Sequence, residues 1–329
     1  MRIAIDAMGG DGAPGVPVQA AVEALDQVDG DFDIALVGDP DAIQGELSAH
    51  KHPEKRLEIV PARDVITMDD PPVASVRAKP DSSLVRGVRL QESGEADGFI
   101  SAGSTGAILA ASILILGPLP GVDRPAIGAL LPSAADHPTL MLDVGGNVDS
   151  KPHQLVQFAH LGHIYIQDLE GRESPRIGLL SIGEESEKGD ELTTQAFKLL
   201  QDSDLNFVGN AEGGDVISGD YDVVVCDGFV GNVVLKFYES VAGYVAQLIS
   251  RNVADAAANI DLQSVCRVLD YTEFGGAPLL GVDGVTIICH GDSPARAIRN
   301  AVRVAKHSVE RNMVEHLSRQ LSRLAQVEA

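Results

Sequence analysis

Cysteine is scarce in this 329-residue chain: there are three, Cys226, Cys266 and Cys289, odd in number and far apart. Two of them sit in β-branched runs, VVVC and TIIC, which reads as inert core thiols in a reducing cytoplasm, not as a disulfide framework. Basic side chains are also few, with 25 Lys and Arg against 48 Asp and Glu for a net charge of −23. That balance disfavours nonspecific nucleic-acid binding, and any acidic partner must meet a local basic patch. Long hydrophobic runs are missing too. The longest, Ala107 to Leu116, is about half the ~20 helical residues a bilayer requires and reads as a core helix. MRIAID enters a strand pattern at once, with no basic n-region or cleavage site, so no secretory signal is expected.

What is present is apolar residues, at 44% enough to fill a substantial core. One theme repeats: a short β-branched strand ends in glycine, aspartate or serine, and a helix start follows. RIAID, DIALVGD, GFISAGS, TLMLD, RIGLLSIG, DVVVCDG and VTIICHGD all fit it. Such alternation predicts a mostly parallel sheet with helices on both faces and ligand loops at the carboxyl ends of the strands. With neither a strict repeat nor a low-complexity linker, residues 1–329 are expected to form a single α/β domain. The Pro- and Asp-rich stretch Met68 to Ser83 reads as the clearest loop, either a surface connection or a flap over the site. From Asn232 to Gly275 the pattern turns helical, with apolar sets at Val241, Tyr244, Val245, Leu248 and Ile249 and at Leu262, Val265, Cys266 and Leu269. This predicts a helical hairpin excursion at 233–274, packed in a core, on a dimer partner, or against lipid or an acyl chain.

The stretch Ala96 to Leu116 reads as strand, small-residue loop and buried helix. The loop, Ser101 to Gly106, leaves backbone N–H groups open at a helix N-terminus, where the dipole favours an anion such as phosphate. Four further loops share its ingredients. They are Asp6 to Asp11 (DAMGGD), Leu142 to Asp149 (LDVGGNVD), Asp227 to Asn232 with Lys236 one helical turn later, and His290 to Pro294. In the last, Ser293 is expected as N-cap and Pro294 as the first helical residue. Each alone is often no more than a tight turn, but five at one edge of one sheet predict a shared anion and substrate cleft.

Two other patterns are weighed against this. Gly10, Gly12 and Gly15 match G-x-G-x-x-G, yet Asp11 puts a carboxylate where a pyrophosphate would lie and Pro14 removes an N–H. His153, His160 and His163 have spacing that could serve a metal, but with apolar neighbours and no carboxylate set they read as ordinary helix histidines. Downstream, Arg296, Arg299, Arg303 and Lys306 fall within a helical stripe roughly 80° wide, beside an apolar face of Ile298, Ala301, Val302, Ala305 and Val309. That stripe is either a solvated face or a dock for an acidic partner.

Taken together, DAMGGD, SAGSTGA, DRPA (Asp123 to Ala126), LDVGGNVD, SPRIGLLSIGEE (Ser174 to Glu185), DGFVGNVVLK, FGGAPLLGV and HGDS resemble bacterial phosphate acyltransferases of the PlsX type over essentially the whole chain. The resemblance implies a Rossmann-like αβα sandwich related to phosphotransacetylase and isocitrate dehydrogenase-like folds. It also implies a homodimer, and a peripheral contact of the hairpin with the inner face of the cell membrane. The implied reaction is transfer of a fatty acyl group from an acyl carrier protein thioester to inorganic phosphate, for phospholipid synthesis, with no cofactor and no metal. Phosphate is a ready nucleophile and a thioester is already activated, so the protein's task is positioning and oxyanion stabilisation.

On this reading Ser101, Gly103, Ser104, Thr105, Gly106, Gly145, Gly146 and Lys188 hold phosphate. Asn147, Asn232 and Lys236 act as side-chain donors, and His290 protonates the leaving thiolate. Phe274, Gly275, Gly276 and Leu279 line an acyl pocket. Arg251, Arg267, Arg296, Arg299, Arg303 and Lys306 dock the carrier. A nicotinamide dehydrogenase and a non-catalytic scaffold of lipid synthesis stand as the alternatives.

Overall fold

The computed structural model of the chain describes residues 1–252 and 271–327. In chain order its elements are β1 (Arg2–Asp6), α1 (Gly15–Gln27), β2 (Asp33–Gly38), α2 (Pro40–Leu47), β3 (Leu57–Pro61), α3 (Pro72–Ala78), α4 (Ser83–Glu92), β4 (Gly98–Ser101) and α5 (Thr105–Ala111). They continue with β5 (Ala126–Leu131), β6 (Thr139–Leu142), α6 (Pro152–Glu170), β7 (Ile177–Leu180), α7 (Glu191–Gln201), β8 (Phe207–Ala211), β9 (Val223–Val225), α8 (Gly228–Asn252), β10 (Ala277–Leu280), β11 (Val285–Ile288), α9 (Ala295–Glu310) and α10 (Met313–Val327). The chain divides into two compact units, Met1–Pro125 with Phe274–Ala329, and Ala126–Glu273.

In the first unit the strands run β3-β2-β1-β4-β11-β10, parallel except for the last pair. Ile3 lies opposite Ile34 on one side and Gly98 on the other, and Phe99 pairs with Thr286. The central strands are apolar without alternation because both faces are covered. Ile3, Ile5, Ile34, Leu36, Ile100 and Ile287 pack with Val18, Ala21 and Leu25 of α1 and with Ile298, Ala301 and Val302 of α9. On the opposite face α4 lies over β1, β2 and β4. Each such aliphatic side chain taken out of water contributes about 1.5–3 kcal/mol.

The second unit orders its strands β5-β6-β9-β7-β8, with β5 antiparallel to β6 and the others parallel. Helix α6 covers β6 and β9 and buries Phe158, Leu161 and Tyr165. At the base of this sheet the Asp222 carboxylate is shared by Arg172 at 2.5 Å and Arg176 at 3.2 Å. Burial alone would push Asp222 up, but those two guanidinium groups and the Arg176 N–H hold it below the usual range.

All seven strand motifs form strands, and the architecture is the expected mostly parallel α/β fold. Strands β3, β5, β8 and β10 lie outside those motifs. The Met68 to Ser83 stretch is not all loop. Pro71 caps α3 and Pro72 occupies its first turn, so the prolines that read as breakers are a helix start. Helix α9 begins one residue later than expected: Pro294 is extended (ψ 162°) and serves as N-cap, while Ser293 donates its N–H to His290 O. Of the expected 233–274 hairpin, α8 is described as far as Asn252. Residues 253–270, Cys266 and Arg267 among them, and the Arg251 side chain lie outside the described residues.

Candidate active site

In the first unit three of the five glycine loops meet. Strand β1 ends at Asp6 and β4 at Ser101, and the Ser101 hydroxyl donates to Asp6 Oδ2 at 2.7 Å. Met8 N–H donates to Asp6 Oδ1 at 3.1 Å, and Gly103 N–H to Ser101 Oγ at 3.0 Å. The third loop joins through backbone: Asp11 N–H donates to Gly291 O at 2.7 Å and Cys289 N–H to Ser101 O at 2.8 Å. Asp6 is almost fully buried. That burial pushes its carboxyl up, while the hydroxyls of Ser83 and Ser101 and the Met8 and Gly9 amides pull it part of the way back.

Helix α5 opens at this junction. Its first intrahelical bond from the loop runs from Ile108 N–H to Ser104 O, so the amides of 104–107 lie at the open end of the helix. Ser104 is nearly buried and Thr105 exposed, and the chain continues through a wider helical turn, Ser112–Leu116. His290, half in solvent, binds Asp292 Oδ1 through Nδ1 at 2.7 Å, which orients its ring.

The second unit repeats the theme with a different economy. Strand β6 leads to Asp143, which has no solvent exposure. Its Oδ1 accepts from the N–H groups of Ile127 (2.9 Å), Gly145 (3.3 Å) and Gly146 (3.0 Å). Its Oδ2 accepts from Asn147 N–H at 2.6 Å and Asn147 Nδ2 at 2.9 Å. Burial pushes this carboxyl up as well, against the pull of those donors. The loop amides from Gly145 to Asn147, expected to cradle phosphate, thus point at the chain's own carboxylate.

The Asp227 to Asn232 loop docks on the same point. Gly228 N–H donates to Asn147 O at 2.7 Å, and Asp227 Oδ1 caps α8 through Phe229 and Val230 N–H at 2.9 and 3.1 Å. Only glycine fits at 231, where a Cβ would overlap the Asp143 carbonyl. Asn232 lies beside Gly145, and Lys236 follows on the same helix face, exposed. Lys188 is exposed on the loop between β7 and α7, its carbonyl accepting from the Ser181 hydroxyl.

The remaining expectations fare unevenly. Gly275 and Gly276 turn the chain at φ +80° and +81°, and a Cβ at either would strike Asn300 or Ile287, so close packing against α9 and β11 explains both. Leu279 is buried in β10 and Phe274 is half-buried. The basic stripe is partly turned inward. Arg299 donates to Gln27 Oε1 at 2.6 Å and Lys306 to Glu310 at 2.6 Å, with side chains 19% and 13% exposed. They line a groove of about 530 Å³ with Arg303, His307 and Asp29. Burial pushes Cys289 up to about 12 and Cys226 well above its usual value, which suits inert thiols. His160 and His163 lie on α6, and burial lowers both.

Sequence reasoning passed over Asp6 and Asp143 as organisers. The signal was available: in DAMGGD and in LDVGGN an aspartate at the end of a strand is followed within four residues by two glycines. A carboxylate there meets backbone amides that glycine leaves uncovered.

Comparison with known proteins bears on the chemistry. Residues 1–316 match the family described as "Fatty acid synthesis protein". The phosphate acyltransferase of Heliobacterium modesticaldum is 48% identical over 323 residues, covering 95% of this chain and 96% of that protein. That of Halothermothrix orenii is 45% identical, covering 98% and 99%. Among solved structures, a phosphotransacetylase from Streptococcus pyogenes shares the fold with a TM-score of 0.61 at 16% identity, covering 94% of each chain. The 4-hydroxythreonine-4-phosphate dehydrogenase of Klebsiella pneumoniae shares it with a TM-score of 0.55 at 11% identity, over 94% of this chain and 97% of the other.

Proposed function

The chain belongs to the phosphate acyltransferase family, and from that premise we propose that it transfers a fatty acyl group from an acyl carrier protein thioester to inorganic phosphate, supplying acyl phosphate for phospholipid synthesis. Acyl transfer to phosphate is the reaction. The carrier as donor and the lipid pathway are the proposed particulars. A nicotinamide dehydrogenase is not favoured, because the dehydrogenase likeness at 11% identity extends to fold alone. A non-catalytic scaffold is not favoured either, given full-length relatives named for the enzyme.

The observation that carries the reading is the open N-terminus of α5, set beside Asp6, Ser101 and the His290 loop. Amides there suit a phosphate, and its oxygen attacks the thioester carbonyl. The carbon–sulfur bond then breaks and the thiolate leaves. With the Gly145 to Asn147 amides drawn to Asp143, what the second unit by itself offers the reaction is side-chain donors: Asn147, Asn232 and Lys236. Lys188 adds positive charge, and His290 gives the thiolate its proton. Phe274, half-buried where Leu279 is buried, is the member of its set to which we assign the acyl-chain contact.

The deciding experiment is thiol release from an acyl carrier protein thioester with and without inorganic phosphate. Release that depends on phosphate and yields acyl phosphate in equal amount is expected; equal release without phosphate would sink the reading.

The acidic carrier docks on the α9 groove through Arg296, Arg303 and its neighbours. Arg303→Glu is then expected to weaken carrier binding about tenfold while phosphate saturation stays unchanged. The partner in assembly is a second copy of this chain. Helix α8 exposes Phe229, Val233, Phe237, Tyr244 and Leu248 at helical spacing, an apolar face on a protein of strong net charge. Phe237→Asp is expected to shift a dimer to monomer in light scattering, and wild type running as a monomer would remove the dimer. No described helix is long and apolar enough to cross a membrane. A peripheral membrane contact through 233–274 is tested separately by sedimentation with anionic vesicles.

A further inference from the structure

Holding phosphate does not by itself call for a buried carboxylate, yet Asp143 sits fully buried beneath the loop that carries Asn147. We propose that Asp143 is a positioning residue for acyl transfer, its carboxylate holding the Asn147 carboxamide in the one orientation that serves the reaction. This rests on the role given to Asn147 above.

Five donors converge on this carboxylate, three on Oδ1 and two on Oδ2. Backbone bonds from residues two to four positions on are an ordinary turn device. Two of the five go beyond that. Ile127 N–H brings in β5, a strand 16 residues away, and Asn147 Nδ2 brings in a side chain. Because an ionised carboxylate only accepts, the Asn147 amide cannot flip without setting oxygen against oxygen. One Nδ2 hydrogen is thereby fixed on Asp143, and the direction of the second follows from the plane of the amide.

The same residue sets the neighbouring loop. Asp143 N–H donates to Cys226 O at 3.0 Å, Cys226 N–H donates to Leu142 O at 2.7 Å, and the first turn of α8 closes over Asp143 at Gly228 and Gly231. Asn232, on that turn, lies beside Gly145.

Asp143→Asn keeps size and removes the function. Each oxygen faces at least two N–H donors, so whichever side receives the new NH₂ sets donor against donor. The test compares Asp143→Asn, Asn147→Ala and the double variant, using a long-chain acyl carrier protein thioester and inorganic phosphate. Circular dichroism and Tm establish that each is folded at the assay temperature. Expected for Asp143→Asn is a kcat lower by about 10²-fold, the loss typical of a misplacement near 1 Å, with the KM for the acyl donor within about twofold. The double variant is expected to be no slower than the slower single one, because Asp143 acts through Asn147.

A folded Asp143→Asn enzyme with near wild-type kcat, or losses that multiply in the double variant, overturns the proposal. Wild-type kcat in Asn147→Ala overturns it too, and then the fault lies in the role of Asn147. Should Asp143→Asn not fold, Asp143→Glu takes its place under the same criteria, since it keeps the charge and displaces the oxygens by one methylene.

Discussion

Two loops that look alike in sequence, DAMGGD in the first unit and LDVGGN in the second, use their strand-end aspartates differently. Asp6 is held largely by hydroxyls, from Ser83 and Ser101, with the Met8 and Gly9 amides beside them. Asp143 is held by backbone and carboxamide N–H groups alone, five bonds in all. A hydroxyl can turn from donor to acceptor, whereas an N–H cannot. The first unit therefore keeps the backbone amides of α5 for a ligand, while the second uses its amides internally and presents side chains.

The largest effect expected from this contrast lies between Asp143→Asn and Asp6→Asn. Against the loss of about 10²-fold for the former, Asp6→Asn should cost kcat no more than about threefold, since Ser101 can rotate to accept from the new NH₂. Equal losses in steady-state kinetics would end the distinction. The next effect concerns which unit gives side chains. Lys236→Ala should raise the phosphate KM about 10–100-fold, the worth of one charge-assisted hydrogen bond of about 1.5–3 kcal/mol. Ser104→Ala and Thr105→Ala should each change it by no more than about threefold, because their amides remain. Phosphate titrations that reverse this order would remove Lys236 as a phosphate donor and give that role to the side chains of the first-unit loop.

A smaller effect is thermodynamic. Burial raises the Asp6 carboxyl above the ordinary range near pH 4, so the folded chain binds that proton more tightly than the unfolded chain does. The stabilisation this gives is complete below about pH 4 and is lost as pH rises through the folded-state value. Asp6→Asn removes the dependence. Its Tm should therefore gain on that of wild type between about pH 4 and pH 7, and scanning calorimetry showing a constant or narrowing gain would refute the sign. Smallest of all is Gly146→Ala. A Cβ there stands 3.1 Å from Asp143 Oδ2, and the backbone needs no positive φ, so a shift of a few tenths of an ångström accommodates it. Activity within about twofold of wild type is expected, and a larger loss would show the Asp143 cradle to be more rigid than its contacts imply.

The strand motifs were legible because each is a short apolar run closed by a turn residue, and burial on both faces leaves no other pattern for a parallel strand. The prolines before α3 misled because Pro-Pro marks both a loop and a helix start, and only the packing of α3 on α5 chooses. Gly275 and Gly276 looked like a ligand loop, yet the reason for the first is the backbone of Asn300 and for the second Ile287 and the Ile288 carbonyl, 25 and 11 or more residues downstream, which no local pattern reports.

By itself the sequence determined the mostly parallel α/β architecture, the family and the glycine loops, all of which are local: apolar periodicity, turn residues and motif order. Only the tertiary structure decided where the hydrogen bonds of those loops go. Whether a glycine-loop amide is offered to a ligand or taken by a carboxylate depends on what folds beneath it. For Asp143 that includes the N–H of Ile127 on another strand, and for Arg299 and Lys306 it is partners on α1 and α9 that turn two cations away from solvent. Donor and acceptor are fixed by residue type, but their pairing is fixed by distance in three dimensions, and that distance is set by the packed core.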